Sequence, residues 1–364
     1  MSEAFRSYIF NDLLTKDESV PYTVSFGSGL APSPAVRGDG THYHHVKDVC
    51  PDPAHDLVYM VDTKDELHEF DARTLAYRGR VTYSGGDRFR AVALAGGYRQ
   101  KAFVNQRLYA VGLDQAGAAT VFTFGLKNGS RVGTGSAQVI NGCTQRPTGI
   151  AVSQDGLHQF VITYTDDGVD GLRVVNLEDS HSVLAGEGTG RRPDVHEGFF
   201  NAVTRAKTVP RPSGIAVSNG QHPYVLISNH TEQVTAIGLD ALDVPVTVTL
   251  SSQAWDPVHV RDEIFALRSM GVVLFVDAAR GKQVASVALP VDPVGQDFRN
   301  TSIGVAGEYL YACYCAYGKY GAKKGRVVAI RRSDFAIEGQ PAEYEPSGGW
   351  DPYWDMWICP PLES

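Results

Sequence analysis

Arg146-Pro147-Thr148-Gly149-Ile150-Ala151-Val152-Ser153 returns 65 residues later as Arg211-Pro212-Ser213-Gly214-Ile215-Ala216-Val217-Ser218, with only the third residue changed. A near-identical octapeptide at this spacing marks a repeating structural unit. Each copy is followed by a polar turn, an apolar run (Phe160-Val161-Ile162 or Tyr224-Val225-Leu226-Ile227), a polar loop and a further apolar run. Short β-branched and aromatic runs bounded by turn residues read as strands, so the unit is a β meander.

The pattern extends in both directions. The second strand recurs as Leu57-Val58-Tyr59-Met60-Val61, Leu108-Tyr109-Ala110-Val111, Ile264-Phe265-Ala266-Leu267 and Tyr309-Leu310-Tyr311-Ala312. The third recurs at Leu67 to Asp71, Val121 to Phe124, Leu172 to Val175, Val234 to Ile237, Val272 to Phe275 and Arg326 to Ile330, usually followed by a tight-turn signal such as Asp71-Ala72-Arg73 or Ala279-Arg280-Gly281. Six units therefore start near residues 41, 87, 146, 210, 253 and 297. At the N-terminus, Tyr8-Ile9-Phe10 and Tyr22 to Phe26 read as a second and a third strand with no first strand before them, and Trp350-Asp351-Pro352 repeats the Trp255-Asp256-Pro257 that opens the fifth unit. The C-terminal segment is thus expected to supply the missing strand and close a ring. The sequence predicts an all-β chain, one domain over residues 1–364: a seven-bladed propeller of four-stranded antiparallel blades, its last blade shared by both chain ends. Six blades with the termini as accessories is the alternative.

Composition agrees. With 43% hydrophobic and 10% aromatic residues the chain has the apolar content of a globular protein. Thirty-three Lys and Arg against 41 Asp and Glu leave a net charge of -8, which argues against capture of nucleic acid or an anionic membrane. No stretch approaches the ~20 apolar residues of a membrane span, and the first 20 residues lack a basic region followed by an apolar core. Five irregularly spaced cysteines fit reduced thiols better than a disulfide framework, so a soluble, cytoplasmic protein is expected, a monomer or weak homo-oligomer.

Blades that open with R-P-[ST]-G-I-A-V-S and continue into an aromatic-aliphatic strand ending in Ser228-Asn229-His230 resemble the YVTN and lactonase-like propellers. The resemblance covers the architecture along nearly the whole chain and implies no single activity, since similar blades serve lactonases, cycloisomerases, lyases and purely binding proteins.

In a propeller the loops entering the first strands and those joining second to third strands share one face, where ligands usually bind. Arg146, Arg211 and Arg299 each precede a valine by six residues and should lie at matching levels, with Arg88 or Arg90 in the second blade, His44 or His45 in the first, and Asp256 and Asp351 nearby. Guanidinium forks there would hold a carboxylate or phosphate; the alternative is structural Arg and Asp bridging between blades. Candidate acid or base groups on this face are His230 and Glu232 in one loop, His259 on the fifth first strand, and His196 and Glu197 in the Gly-rich insertion 186–207 between the third and fourth blades, a segment that could act as a lid. Tyr311, Tyr314, Tyr317 and Tyr320 are expected to form an aromatic loop after the sixth unit's second strand, and with Trp255 they could stack on a ligand.

No cofactor is expected. The run His42-Tyr43-His44-His45, with His55 downstream, offers at most two ligands from one strand face, so a divalent metal is the minority reading and no metal residues are assigned. No P-loop, Rossmann fingerprint or Gly-x-Ser-x-Gly elbow is present. The function this supports is a proton-transfer enzyme of lactonase, cyclase or lyase type acting on a small anionic organic substrate. A non-catalytic module for a peptide or protein is the alternative.

Overall fold

Alternating burial and short β-branched runs build antiparallel hairpins along the chain, and no helix occurs among the described residues. The computed structural model describes residues 3–10, 21–27, 29–34, 36–38, 43, 46–52, 55–82, 90–96, 108–114, 116–127, 130–132, 137–139, 146–152, 158–164, 171–176, 214–218, 222–238, 244–290, 297–317, 325–344 and 356–359. Within these residues no helix is long and apolar enough to cross a membrane.

The regular unit is clearest in the four-stranded sheet Val46–Asp52, Leu57–Asp62, Leu67–Asp71 and Tyr77–Arg80. Its two central strands are buried along almost their whole length, whereas the outermost strand alternates. Asp71 closes the turn between the third and fourth strands by accepting hydrogen bonds from the amides of Arg73 and Thr74, the local chemistry expected of an Asp at a tight turn. The same order recurs from Asp297–Ala306 to Ile337–Tyr344, and in part from Arg90–Gly96 onward and over Arg146–Val152, His158–Tyr164 and Gly171–Asn176.

Between Gly214 and Ala288 seven strands form one continuous sheet because the 16-residue strand Val246–Arg261 serves twice. Its first half pairs with Thr231–Gly238 and its second half with Ile264–Ser269. The chain ends meet as the sequence leads one to expect: Met356–Cys359 pairs with Glu3–Phe10, with Tyr8 opposite Trp357, and Pro21–Gly27 and Val36–Arg37 complete that sheet.

The core lies between sheets. Tyr8 of the terminal sheet packs with Val58, Met60 and Phe70, and its hydroxyl donates to the Ala72 carbonyl at 3.2 Å. On its other side Phe5 and Phe26 pack against Tyr311, Cys313 and Val327, with Phe5 stacked on Tyr311 at 4.0 Å between ring centroids. The sheet made from both chain ends therefore sits between the sheet of residues 46–80 and the sheet of residues 297–344. Successive first strands also touch, from Val46–Asp52 through Arg90–Gly96, Arg146–Val152, Gly214–Val217, Val246–Arg261 and Asp297–Ala306 to Met356–Cys359.

One expectation is corrected. Tyr311 and Tyr314 do not belong to an aromatic loop: Tyr309–Tyr317 is a strand, both rings are buried, and the Tyr314 hydroxyl donates to the Pro290 carbonyl at 2.9 Å. An aromatic-aliphatic alternation with this much apolar area is stabilised by burial between sheets more than by display to a ligand.

Candidate functional site

A one-residue bulge recurs near the start of the first strand: between Val46 and Asp48, Ala91 and Ala93, Pro147 and Gly149, and Trp255 and Pro257, with a similar shift between Arg299 and Ser302. A bulge turns the strand and redirects the side chains beside it, and for that reason bulges gather near functional sites. Relative to these hairpins Arg90 stands opposite Leu113, Arg146 opposite Tyr164 and Arg299 opposite Cys315. Six residues further along, Gly96, Val152 and Val305 stand opposite Leu108, Gln159 and Leu310. The three arginines therefore hold the same register position in three separate sheets. In the sheet of residues 46–80 the residue just before the bulge is Val46, opposite Asp62, at the place that Ala91 and Pro147 hold in theirs.

The strand register also assembles a second group. Thr231 pairs with Ala254 on one side of the long strand, and Trp255 pairs with Arg268 on the other. His230, one residue before Thr231, consequently meets Trp255: the rings are stacked, 5.3 Å between centroids and 17° apart. The Arg268 guanidinium lies over the same indole at 5.6 Å and forms an ion pair with Asp256. Cation, indole and imidazole thus form one contiguous cluster, with the favourable electrostatics of a cation on a π face.

Backbone geometry holds the cluster. His230 has φ 64° and Asp256 φ 46°, left-handed values uncommon away from glycine. The His230 turn is tied by the Thr231 hydroxyl, which donates to Asn229 Oδ1 at 2.6 Å and accepts from the Gln233 amide at 3.2 Å. Gly214, the glycine of the repeated octapeptide, allows the neighbouring strand to approach: a Cβ there would lie 2.8 Å from both Pro257 Cδ and Ser228 Oγ, and 3.1 Å from the Asp256 nitrogen. The glycine of the second octapeptide thus answers a packing requirement beside the site.

His230 and Glu232 are exposed, Trp255 and Asp256 half-buried. His259 is elsewhere. It lies toward the opposite end of its strand, where Nε2 donates to the Asp262 carbonyl at 2.7 Å in the hairpin turn and the ring packs edge-on to Phe265. Burial pushes its pKa below the ordinary 6.5, Arg332 adds to this, and the bond to Asp262 opposes it. The expectation that His259 shares a face with His230 is corrected by the strand's own length, since four residues of strand span about 13 Å.

Asp256 is bridged to Arg268, a partner that sequence reasoning missed; only the register of the hairpin Val246–Arg261 to Ile264–Ser269 brings the two together. Arg90, Arg146, Arg299 and Tyr317 are placed by their backbones. His45, His196, Glu197, Arg211, Asp351, Tyr320 and the insertion 186–207 lie outside the described residues, as do His42, His44 and Arg88. His55, which the metal reading had included, faces both carboxylate oxygens of Asp52 from Nδ1, at 2.9 and 3.0 Å.

No family model and no curated protein matches the chain. Solved structures do. The dihydro-heme d1 dehydrogenase NirN in complex with DHE superposes with a TM-score of 0.55 at 10% identity, over 98% of this chain and 76% of that one. Apo AztD from Citrobacter koseri superposes with a TM-score of 0.50 at 12% identity, over 99% of each chain. Both are β-propeller-type proteins, and the fold of this chain is accordingly that of a β-propeller.

Proposed function

We propose that this protein is a seven-bladed, lactonase-like propeller that binds a small anionic organic molecule at the face carrying the first-strand entrances and acts on it by proton transfer. The observation that carries the reading is the shared register of Arg90, Arg146 and Arg299 in three sheets. Repetition of one cationic residue type at one structural level is suited to an oxyanion, which guanidinium groups bind through paired N–H donors. Arg211 holds the place of Arg146 in the second copy of the octapeptide.

His230 is the proton-transfer group in this reading, with Glu232 two residues further on, exposed at the start of the strand Thr231–Gly238. Its imidazole rests on Trp255, so its plane is set before a substrate arrives, which is what general acid or base catalysis needs of the group that moves the proton. Arg268 is held by Asp256 and Trp255 and serves to position that indole. Seven blades are supported by the successive contacts of seven first strands and by the sheet built from both termini.

The reading is tested by a thermal-shift screen of small carboxylates and lactones against the full chain, followed by Arg146→Ala and Arg299→Ala. A stabilising ligand whose effect is lost in both variants is expected, with His230→Ala retaining binding and losing turnover. Absence of any response across the screen, or equal affinity in the arginine variants, overturns the reading in favour of a module for peptides or proteins.

A further inference from the structure

Asp62, Glu66 and His68 come from one β-hairpin, the turn joining Leu57–Asp62 to Leu67–Asp71. One donor atom from each lies within 4.8 Å of the other two. Asp62 and His68 are almost wholly buried, at 0% and 2% side-chain exposure, while Glu66 at 30% opens the group to solvent.

Each of the three is held from behind by a separate partner that leaves one donor turned inward. Asp62 Oδ1 accepts the amides of Lys64 at 3.0 Å and Glu66 at 2.9 Å, so Oδ2 faces the imidazole. Glu66 Oε1 is bound by Arg80 at 2.8 Å, so Oε2 faces the imidazole as well. His68 Nδ1 lies 3.4 Å from the Tyr77 hydroxyl, and its Nε2 points between the two carboxylates. Engagement of the far nitrogen and of the outer carboxylate oxygens is how proteins fix ligand orientation and tautomer around a metal.

The inner spacings agree. Nε2 is 3.3 Å from Asp62 Oδ2 and 4.0 Å from Glu66 Oε2. Charge-assisted hydrogen bonds between nitrogen and carboxylate close to about 2.7–2.9 Å. Donors on a tetrahedral ion with bonds near 2.1 Å stand about 3.4 Å apart. We propose that Asp62, Glu66 and His68 bind a divalent first-row transition ion, with zinc the favoured occupant and water completing the shell. One imidazole with two carboxylates suits zinc, whereas calcium and magnesium take oxygen donors alone. The inference stands independently of the anionic-substrate reading, because none of its residues belongs to that site.

Zinc chloride titrated into the full chain by calorimetry tests it, with thermal melts reporting the fold of every variant. His68→Gln is expected to remove one equivalent of bound zinc relative to the parent chain. Glu66→Gln, at the half-exposed position, and Tyr77→Phe, which removes the hydroxyl beside Nδ1 and touches no ion, should weaken that equivalent by about tenfold or more. Cobalt added in place of zinc should give visible bands that His68→Gln abolishes. If His68→Gln does not fold, Glu66→Gln and Tyr77→Phe decide the matter. Zinc stoichiometry and affinity unchanged in the folded variants, or no binding to the parent chain, overturns the proposal and leaves an imidazole clamped between two carboxylates.

Discussion

The imidazole of His230 lies nearly parallel to the indole of Trp255, 17° apart with 5.3 Å between centroids, although 25 residues separate them in the chain. The contact follows from the pairing of Thr231 with Ala254, which puts the turn beside the first residue of the next hairpin. It links the second-to-third-strand turn of one hairpin set to the first-strand entrance of the next.

This stack should be measurable. A double-mutant cycle on His230→Ala and Trp255→Ala, read by urea denaturation, is expected to give a coupling of about 0.5–1.5 kcal/mol. His230 also carries φ 64°. His230→Gly should therefore be more stable than His230→Ala by about 0.5–1 kcal/mol, since glycine accepts that backbone and alanine does not. Equal stability of the two would show that the turn rearranges.

Gly214→Ala places a methyl group against Pro257, Ser228 and the Asp256 backbone. Backbone and ring atoms cannot move aside cheaply, so a loss of about 1–3 kcal/mol is expected from chemical denaturation. The same change should disturb the Trp255 environment, visible as an altered near-ultraviolet circular dichroism signal.

His259 gives the stability a pH dependence. Its folded pKa is depressed below 6.5, mainly by burial. The unfolded chain then takes up a proton before the folded one does, so the contribution of this residue is complete above about pH 6.5 and is lost as pH falls through the folded value. Urea melts between pH 7.5 and pH 5 should show the parent chain losing stability faster than His259→Gln. Parallel curves would refute the assignment.

Deleting residues 350–364 removes the strand that pairs with Arg6, Ser7, Tyr8 and Ile9. The terminal sheet would then present an open edge, and exposed edges invite pairing with other chains. Reduced solubility and fast amide exchange in Glu3–Phe10 are the expected results, measured by sedimentation and hydrogen exchange.

Much of the architecture was readable because it is local. Strands at Leu57–Asp62, Leu108–Leu113 and Val272–Asp277 are apolar runs bounded by turns, and they formed where the runs lie. The joining of chain ends was readable because the first 26 residues contain two strands of a unit that elsewhere begins with a third. The partner of Asp256 was not readable: Arg268 is an unremarkable residue in an apolar strand until the hairpin register sets it beside Trp255. His68 was likewise hidden, appearing only as a polar residue within Leu67–Asp71. Its relation to Asp62 and Glu66 depends on how the turn folds back, and strand periodicity carries no information about a turn's path.

The repeated octapeptide, by itself, determined a meander of short strands, and the six-residue offset from arginine to valine led to Arg146 and Arg299 at one register position. Hydrogen-bond register is periodic along a strand, so identical sequence offsets become identical structural positions. Which side chains touch across sheets was decided by tertiary structure alone. A single bulged residue shifts every later contact by one position, so the meeting of His230, Trp255, Arg268 and Asp256 depends on where the bulge between Trp255 and Pro257 falls.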